Sequence, residues 1–372
     1  MAILGIIIKF SGCYLSVKYR ERSSQSCEGW VGGPMYYLSK GLGFKKIAKC
    51  FSLFTIISAL TVGNLVQVNS IALPLADAGI SPIYTGCFMA ILVALVLIKG
   101  VRTLTKIATR IVPFMSIIYL LSCLIILTFY HHSILPALKL IIQAAFNPTS
   151  VAGGTLGYSI FQAIRVGFDR GLFATDAGVG IAPILHAQVN MGKTNIDLQE
   201  LAFIQGMVST VAPLIVMLIC MITGLVLLTT NTWQMTSLQS TNICTKAFVL
   251  GLNHLYAGYI VIFTLTLFAF TTILTWAHCA EKAVSFLLPK HAIYWFRWCF
   301  IIMIPIGACC SVQLVWLIAD IALNNMLLIN IIGIIGLSKE VIGDYQARFL
   351  GKSTQSIIAN TASDDLSLKN FK

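Results

Sequence analysis

The residues of this sequence that could do chemistry are polar side chains set deep in apolar runs. Gln67 and Asn69 stand in LVQVNSIA. An amide in apolar surroundings is costly unless paired, so these two either fasten neighbouring helices or meet a ligand. Thr271, Thr272 and Trp276 stand in FAFTTILTW; threonines in apolar helices usually bond back to the preceding turn of carbonyls. From residue 151 the chain reads VAGGTLGYSIFQAIRVG, with Gly153, Gly154, Gly157 and Gly167 on one helix. Such small residues serve either close helix packing or unwinding, and the middle of this span falls at Phe161 to Gly167, with Gln162 beside it. The following stretch, RGLFATDAGVGIAPILHA, carries Arg170, Asp176 and His186 and reads as a loop on the inner side. Asp320 lies inside another apolar run, a functional position by default. His278 and Glu281, three apart, read as a solvated helix end before a metal pair. These groups suit binding: free amides and carbonyls at a helix interruption can meet a charged ligand or an ion. No phosphate-cradling loop with its Lys, nucleophile elbow or zinc helix is present, GGTLG alone is too weak for a nucleotide, and the chain does not read as an enzyme.

The elements that must position these residues follow from hydropathy. Of the 372 residues 58% are hydrophobic and 10% charged, where a soluble domain carries about 25% charged residues. Apolar windows cover residues 1–17, 50–76, 82–99, 108–130, 151–180, 201–228, 253–280, 293–312 and 315–337, nine in all. A helix needs about 20 residues to cross a bilayer. The runs are continuous rather than alternating, which excludes strands. The expectation is an all-α polytopic membrane protein, with one transmembrane domain over 1–345 and a disordered tail over 346–372. Eleven scattered cysteines without a CxxC pair read as small buried hydrophobes. No cleavable signal opens the chain.

Of 25 Lys and Arg, 22 fall on one side of these spans. The positive-inside rule makes that side cytoplasmic, including the C-terminal tail. The net charge of +12 is therefore spread between spans, and no single stripe suits nucleic acid. Two segments on the other side, 133–146 and 238–250, have amphipathic spacing and read as surface helices. In GWVGGPMYYLSKGLG (29–43), Gly32, Gly33 and Pro34 make a turn into a short helix from Pro34 to Lys40, ended by Gly41 and Gly43. Tyr36 and Tyr37 are expected at the headgroup level.

Five spans follow residue 151, and only three complete ones with a partial one precede it. A five-plus-five inverted repeat, common among secondary transporters, would need one more helix and the front of the next. GWVGGPMYYLSKGLG closely resembles the loop after the second helix of the alanine or glycine:cation symporter family, sodium:alanine symporters among them. In the same order, LVQVNSIA, AIRVGFDRGLFATDAGVGIAPILHA, FAFTTILTW and VWLIADIALNNMLLIN resemble that family, so the similarity covers nearly all of 1–345. The resemblance implies a leucine-transporter-like fold lacking the first helix and part of the second. It implies a symporter of the cell (inner) membrane that moves a small neutral amino acid, alanine or glycine, with Na+ as coupling ion and no other cofactor. It implies a broken sixth helix at the Phe161–Gly167 stretch, substrate contacts from Asn69 and Gln67, and Na+ ligands in Thr271 and Thr272. Trp276 would be a lid over the substrate methyl. The family usually reads Asn-Glu where this chain has Thr175 and Asp176, a shorter carboxylate that weakens an ion-pair gating role there. The family's glycine- and tryptophan-rich signature would lie upstream of LGIIIKFSG, so a truncated, non-transporting remnant is the second expectation.

Overall fold

Backbone N–H and C=O groups find no water partners in lipid, so apolar runs of this length close their hydrogen bonds as helices. The computed structural model describes residues 2–22, 29–99, 101–146, 156–190, 196–235, 238 and 240–348. Helix α1 (Ala2–Lys18) leads into a short antiparallel ribbon, β1 (Glu21–Arg22) on β2 (Trp30–Val31), and then α2 (Pro34–Lys40). Helices α3 (Lys45–Leu60) and α4 (Val66–Asp77) run as one rod through a π-helical turn at Thr61–Leu65, followed by α5 (Pro82–Lys99) and α6 (Val101–Phe129). Next come α7 (His131–Phe146), α8 (Leu156–Thr175), α9 (Ile181–His186), α10 (Leu198–Thr229) and α11 (Thr241–Gly251). The chain closes with α12 (Gly258–Leu287), α13 (His291–Cys309) and α14 (Val312–Gly336), with helical backbone again over 338–348.

Each expected span finds its helix, and the two expected surface helices are α7 and α11. Among the described residues, six helices are long and apolar enough to cross a membrane: Lys45–Asp77, Ala108–Phe129, Leu198–Thr229, Leu255–Leu287, His291–Cys309 and Val312–Gly336. Pro82–Ile98 is apolar but shorter. Among the described residues the count falls below the nine hydropathy windows because α1 has 17 residues, Pro82–Ile98 is equally short, and α8 carries Arg165, Asp169 and Arg170. The expected tail is helical as far as 348, and residues 349–372 lie outside the described residues.

One large core joins α1, α2, the α3–α4 rod, α5, α12, α13 and α14, and a smaller one around Cys123, Ile126, Val226 and Phe248 joins α6, α10, α11 and α12 at the opposite end. Outside these cores, Phe88, Ile91, Ile117, Ile215, Ile302 and Leu317 stand exposed. A continuous apolar surface of that kind is suited to lipid. Gly33 enters α2 with φ 128° and Pro34 follows as its first residue, as the turn requires. Tyr36 is buried and Tyr37 fully so, because α2 packs against the large core.

Candidate functional site

The first region of interest is the wall between the α3–α4 rod and α12. A π-helical turn widens the helix by one residue and is frequent at functional sites. Here it brings Gly63 against α12 so closely that a Cβ on Gly63 would lie 2.3 Å from the Cβ of Trp276. Trp276 is buried, and Gln67 Nε2 donates back to the turn at Val62 O, 3.2 Å away. Asn64, on the same turn, donates to Phe300 O of α13 at 2.7 Å. Asn69 faces α13 as well: its Nδ2 donates to Gly307 O at 3.2 Å and Cys310 O at 2.8 Å. Those carbonyls belong to the end of α13, where the helix leaves its acceptors without partners. Both protons of the Asn69 amide are thus engaged in capping α13, and Oδ1 is its remaining group. On α12, Thr271 Oγ1 donates to Phe268 O at 2.9 Å, the local bond expected of a threonine in an apolar helix. Thr272 is half-buried on the next position.

The second region is a helix interruption, and it lies further along the chain than expected. Helix α8 runs unbroken from Leu156 through Gly167, which is exposed with open space beside it, to Thr175. The break spans 176–180, because the expected one at Phe161–Gly167 lacks residues that favour left-handed backbone in series. Asp176, Gly178 and Gly180 adopt φ of 50°, 87° and 96°. At Gly180 a Cβ would also strike Pro34 Cγ at 2.7 Å and Phe51 Cζ at 2.8 Å. The backbone there is buried and met by side chains. Asn330 of α14 donates to Gly178 O at 2.6 Å and accepts from the Tyr37 hydroxyl. Lys9 of α1, itself buried, is drawn electrostatically to Asp176. After the break, α9 lies along α1: Ser16 Oγ donates to Pro183 O at 2.6 Å, and Arg20 Nη1 to Ala187 O at 3.3 Å and Val189 O at 2.7 Å. His186 Nδ1 donates to Gln205 Oε1 of α10 at 2.7 Å. His278 Nε2 of α12 donates to Gln188 Oε1 at 2.8 Å.

The structure brings Trp276 together with the π-turn beside Gln67, turns Asn69 toward α13 and leaves Gly167 away from both. The side chains of Phe161 and Gln162 lie outside the described residues. A cavity of about 250 Å³ opens elsewhere, between α6, α10, α11 and α12, lined by Tyr119, Thr223, Cys244, Thr264 and Phe268. Among the described residues, none of the expected ones lines it. Arg170 and Asp320, noted separately in the sequence, form an ion pair at 2.6 Å between α8 and α14, with the guanidinium 4.6 Å over the Trp316 ring. Glu281 pairs with Arg297, not with His278. Sequence reasoning missed Lys9, Tyr37 and Asn330 as partners of the break. The signal for the break itself was present in DAGVGIAP, two glycines two apart and a proline three beyond.

Comparison with known proteins adds the following. A family model described as the sodium:alanine symporter family matches residues 1–357. A Haemophilus influenzae protein, an uncharacterized transporter, is 34% identical over 352 residues, covering 94% of this chain and 75% of the relative. The sodium/alanine symporter AgcS of Methanococcus maripaludis is 34% identical over 354 residues, 93% of this chain and 75% of AgcS. The probable sodium/glutamine symporter GlnT of Bacillus subtilis is 28% identical over 345 residues, 92% of this chain and 69% of GlnT.

Proposed function

The chain belongs to the sodium:alanine symporter family, and from that membership we propose that it couples Na+ influx to uptake of alanine or glycine by alternating access. It is a multi-pass membrane transport protein. One observation carries the finer reading: a helix interrupted inside the bundle at 176–180, held between two hydrogen-bonded sets of helices. In the first set, Ser16 and Arg20 join α1 to α9, and His186 joins α9 to α10. In the second, Asn64 and Asn69 join the α3–α4 rod to α13, and the Glu281–Arg297 pair joins α12 to α13. Two internally fastened bodies can rock against each other about a central site, which is what alternating access needs.

In this proposal the fold is the five-plus-five inverted repeat of leucine-transporter-like proteins, in the cell membrane, with the basic face and C-terminal tail in the cytoplasm. The freed backbone at 176–180, with Gln67 and Asn69 Oδ1, meets the carboxylate and ammonium of the substrate. Trp276 covers its methyl. Thr271 and Thr272 turn their oxygens to Na+, a hard cation that favours oxygen ligands. A zwitterion and a cation are then desolvated together, each offsetting charge left by the other.

The test is uptake of radiolabelled alanine into proteoliposomes under an imposed Na+ gradient, with glycine and glutamine as competitors. Alanine should accumulate only while the Na+ gradient lasts, and glycine should compete better than glutamine. Thr272→Val should raise the Na+ concentration for half-maximal uptake by about tenfold, the loss of one charge-assisted contact. Accumulation that ignores Na+ and follows a pH gradient would overturn the coupling, and preference for glutamine would overturn the substrate.

A further inference from the structure

We propose that the hydrogen bond from His278 Nε2 to Gln188 Oε1 is the closure of the gate on the basic face, joining the two bodies where the broken helix ends. The inference rests on the alternating-access reading above. Gln188 follows the last turn of α9 and is anchored there, its Nε2 donating to Ile184 O at 3.0 Å. The α9 end is fastened to α1 by two contacts one turn apart, Ser16 to Pro183 O and Arg20 to Ala187 O and Val189 O. Arg20 is itself buried and stacked 4.2 Å over Trp30, so a cation sits on the negative end of α9 and holds it. Gln188 therefore moves with α1 and α9. His278 moves with the other body: it is buried on α12, three residues before Glu281, whose bidentate pair with Arg297 ties that helix to α13.

Between Gln188 and the break the contacts to the second body are apolar packing, such as Phe51 on Gly180. Packing slides; a directed hydrogen bond from the buried His278 to the half-buried Gln188 has one geometry, and breaking it leaves polar groups to be rehydrated. His278 Nδ1 is already buried without a partner, so water entering along this seam would gain a hydrogen bond as soon as the contact parts. The neighbour of His278 on α12, Cys279, is fully buried and lies within electrostatic reach of Asp176 at the break. It is thus a native reporter of opening on this face. Cys123, fully buried in the smaller core, reports on the opposite end.

The experiment is labelling of the full chain in proteoliposomes by a small water-soluble maleimide, with modification at Cys279 and Cys123 read separately by peptide mass spectrometry. Gln188→Ala and His278→Ala should each raise the labelling rate of Cys279 by about tenfold, the loss of one hydrogen bond, with Cys123 unchanged. The double variant should label no faster than either single one, because both remove the same bond. His278→Gln, which keeps a donor, should stay near the native rate. Unchanged labelling of Cys279 in both single variants overturns the gate, and so does a parallel rise at Cys123, which reports general loosening. If the variants behave as expected while the native chain accumulates no alanine on a Na+ gradient, the gate stands and the coupling falls. If alanine accumulates and Cys279 stays silent, the reverse holds.

Discussion

Asn69 shows how a single buried amide can be read in two ways and how the structure separates them. Its two protons reach Gly307 O and Cys310 O, so Asn69→Ala strips the end of α13 of its cap. A cost of about 1–2 kcal/mol is expected, measured as a fall in thermal stability in detergent. If Oδ1 also meets substrate, the same variant raises the KM for alanine, whereas a purely structural Asn69 lowers stability and leaves KM alone. Gly63 offers a sharper case. Its hydrogen faces Trp276 where no methyl group fits, and Gly63→Ala must push α12 from the π-turn. Overpacking of this kind costs about 1–3 kcal/mol, and it should abolish uptake before it abolishes folding because it displaces Trp276.

At the scale of the element, the interruption between α8 and α9 depends on glycine in one place above all. Gly180 combines a left-handed backbone with contacts to Pro34 and Phe51 that leave no room for a side chain. The Asn330 amide then fixes the break by donating to Gly178 O while receiving the Tyr37 hydroxyl. Asn330→Ala leaves both partners unmet, whereas Tyr37→Phe removes only the outer donor. Amide hydrogen exchange over 177–182 should therefore quicken more in Asn330→Ala than in Tyr37→Phe. Equal protection in the two would mean that packing alone holds the break.

At the scale of the molecule, the helical stretch 338–348 is tied back to the C-terminal end of α1 and the N-terminal end of α10. Tyr14 donates to Asp344 at 2.7 Å and Tyr19 to Glu340 at 2.7 Å; Lys18 pairs with both carboxylates, and Gln199 donates to Asp344 at 3.1 Å. Arg348 reaches Glu200 at 3.2 Å and lies 4.3 Å over the Phe203 ring. Burial would push the Asp344 carboxyl up, but the hydrogen bonds from Lys18, Tyr14 and Gln199 outweigh it and hold the group below its ordinary 3.8. A depressed carboxylate contributes stability above its unfolded value and loses it as pH falls through the folded one. The attachment should therefore be intact at neutral pH and weaken only below 3.8. Tryptic cleavage after Lys339 and Arg348 is the measure at neutral pH: Asp344→Asn should quicken it several-fold, and an unchanged rate would show that Arg348 and Glu340 suffice.

The sequence by itself determined that the chain is helical and that it is a multi-pass membrane protein, because hydropathy acts over local windows and needs no partner. It also determined the family, through motifs in order along nearly the whole chain. It placed α7, α11 and the short α2 correctly, since capping glycines, Pro34 and amphipathic spacing are local signals. Only the tertiary structure decided where the broken helix breaks, because small residues at 153–167 and left-handed residues at 176–180 look equally permissive until Pro34, Phe51, Asn330 and Lys9 close around the second set. It alone paired Arg170 with Asp320 and His278 with Gln188, contacts between residues 150 and 90 positions apart. Side chains so distant along the chain carry no shared periodicity, and only the packing of helices against one another can choose their partners.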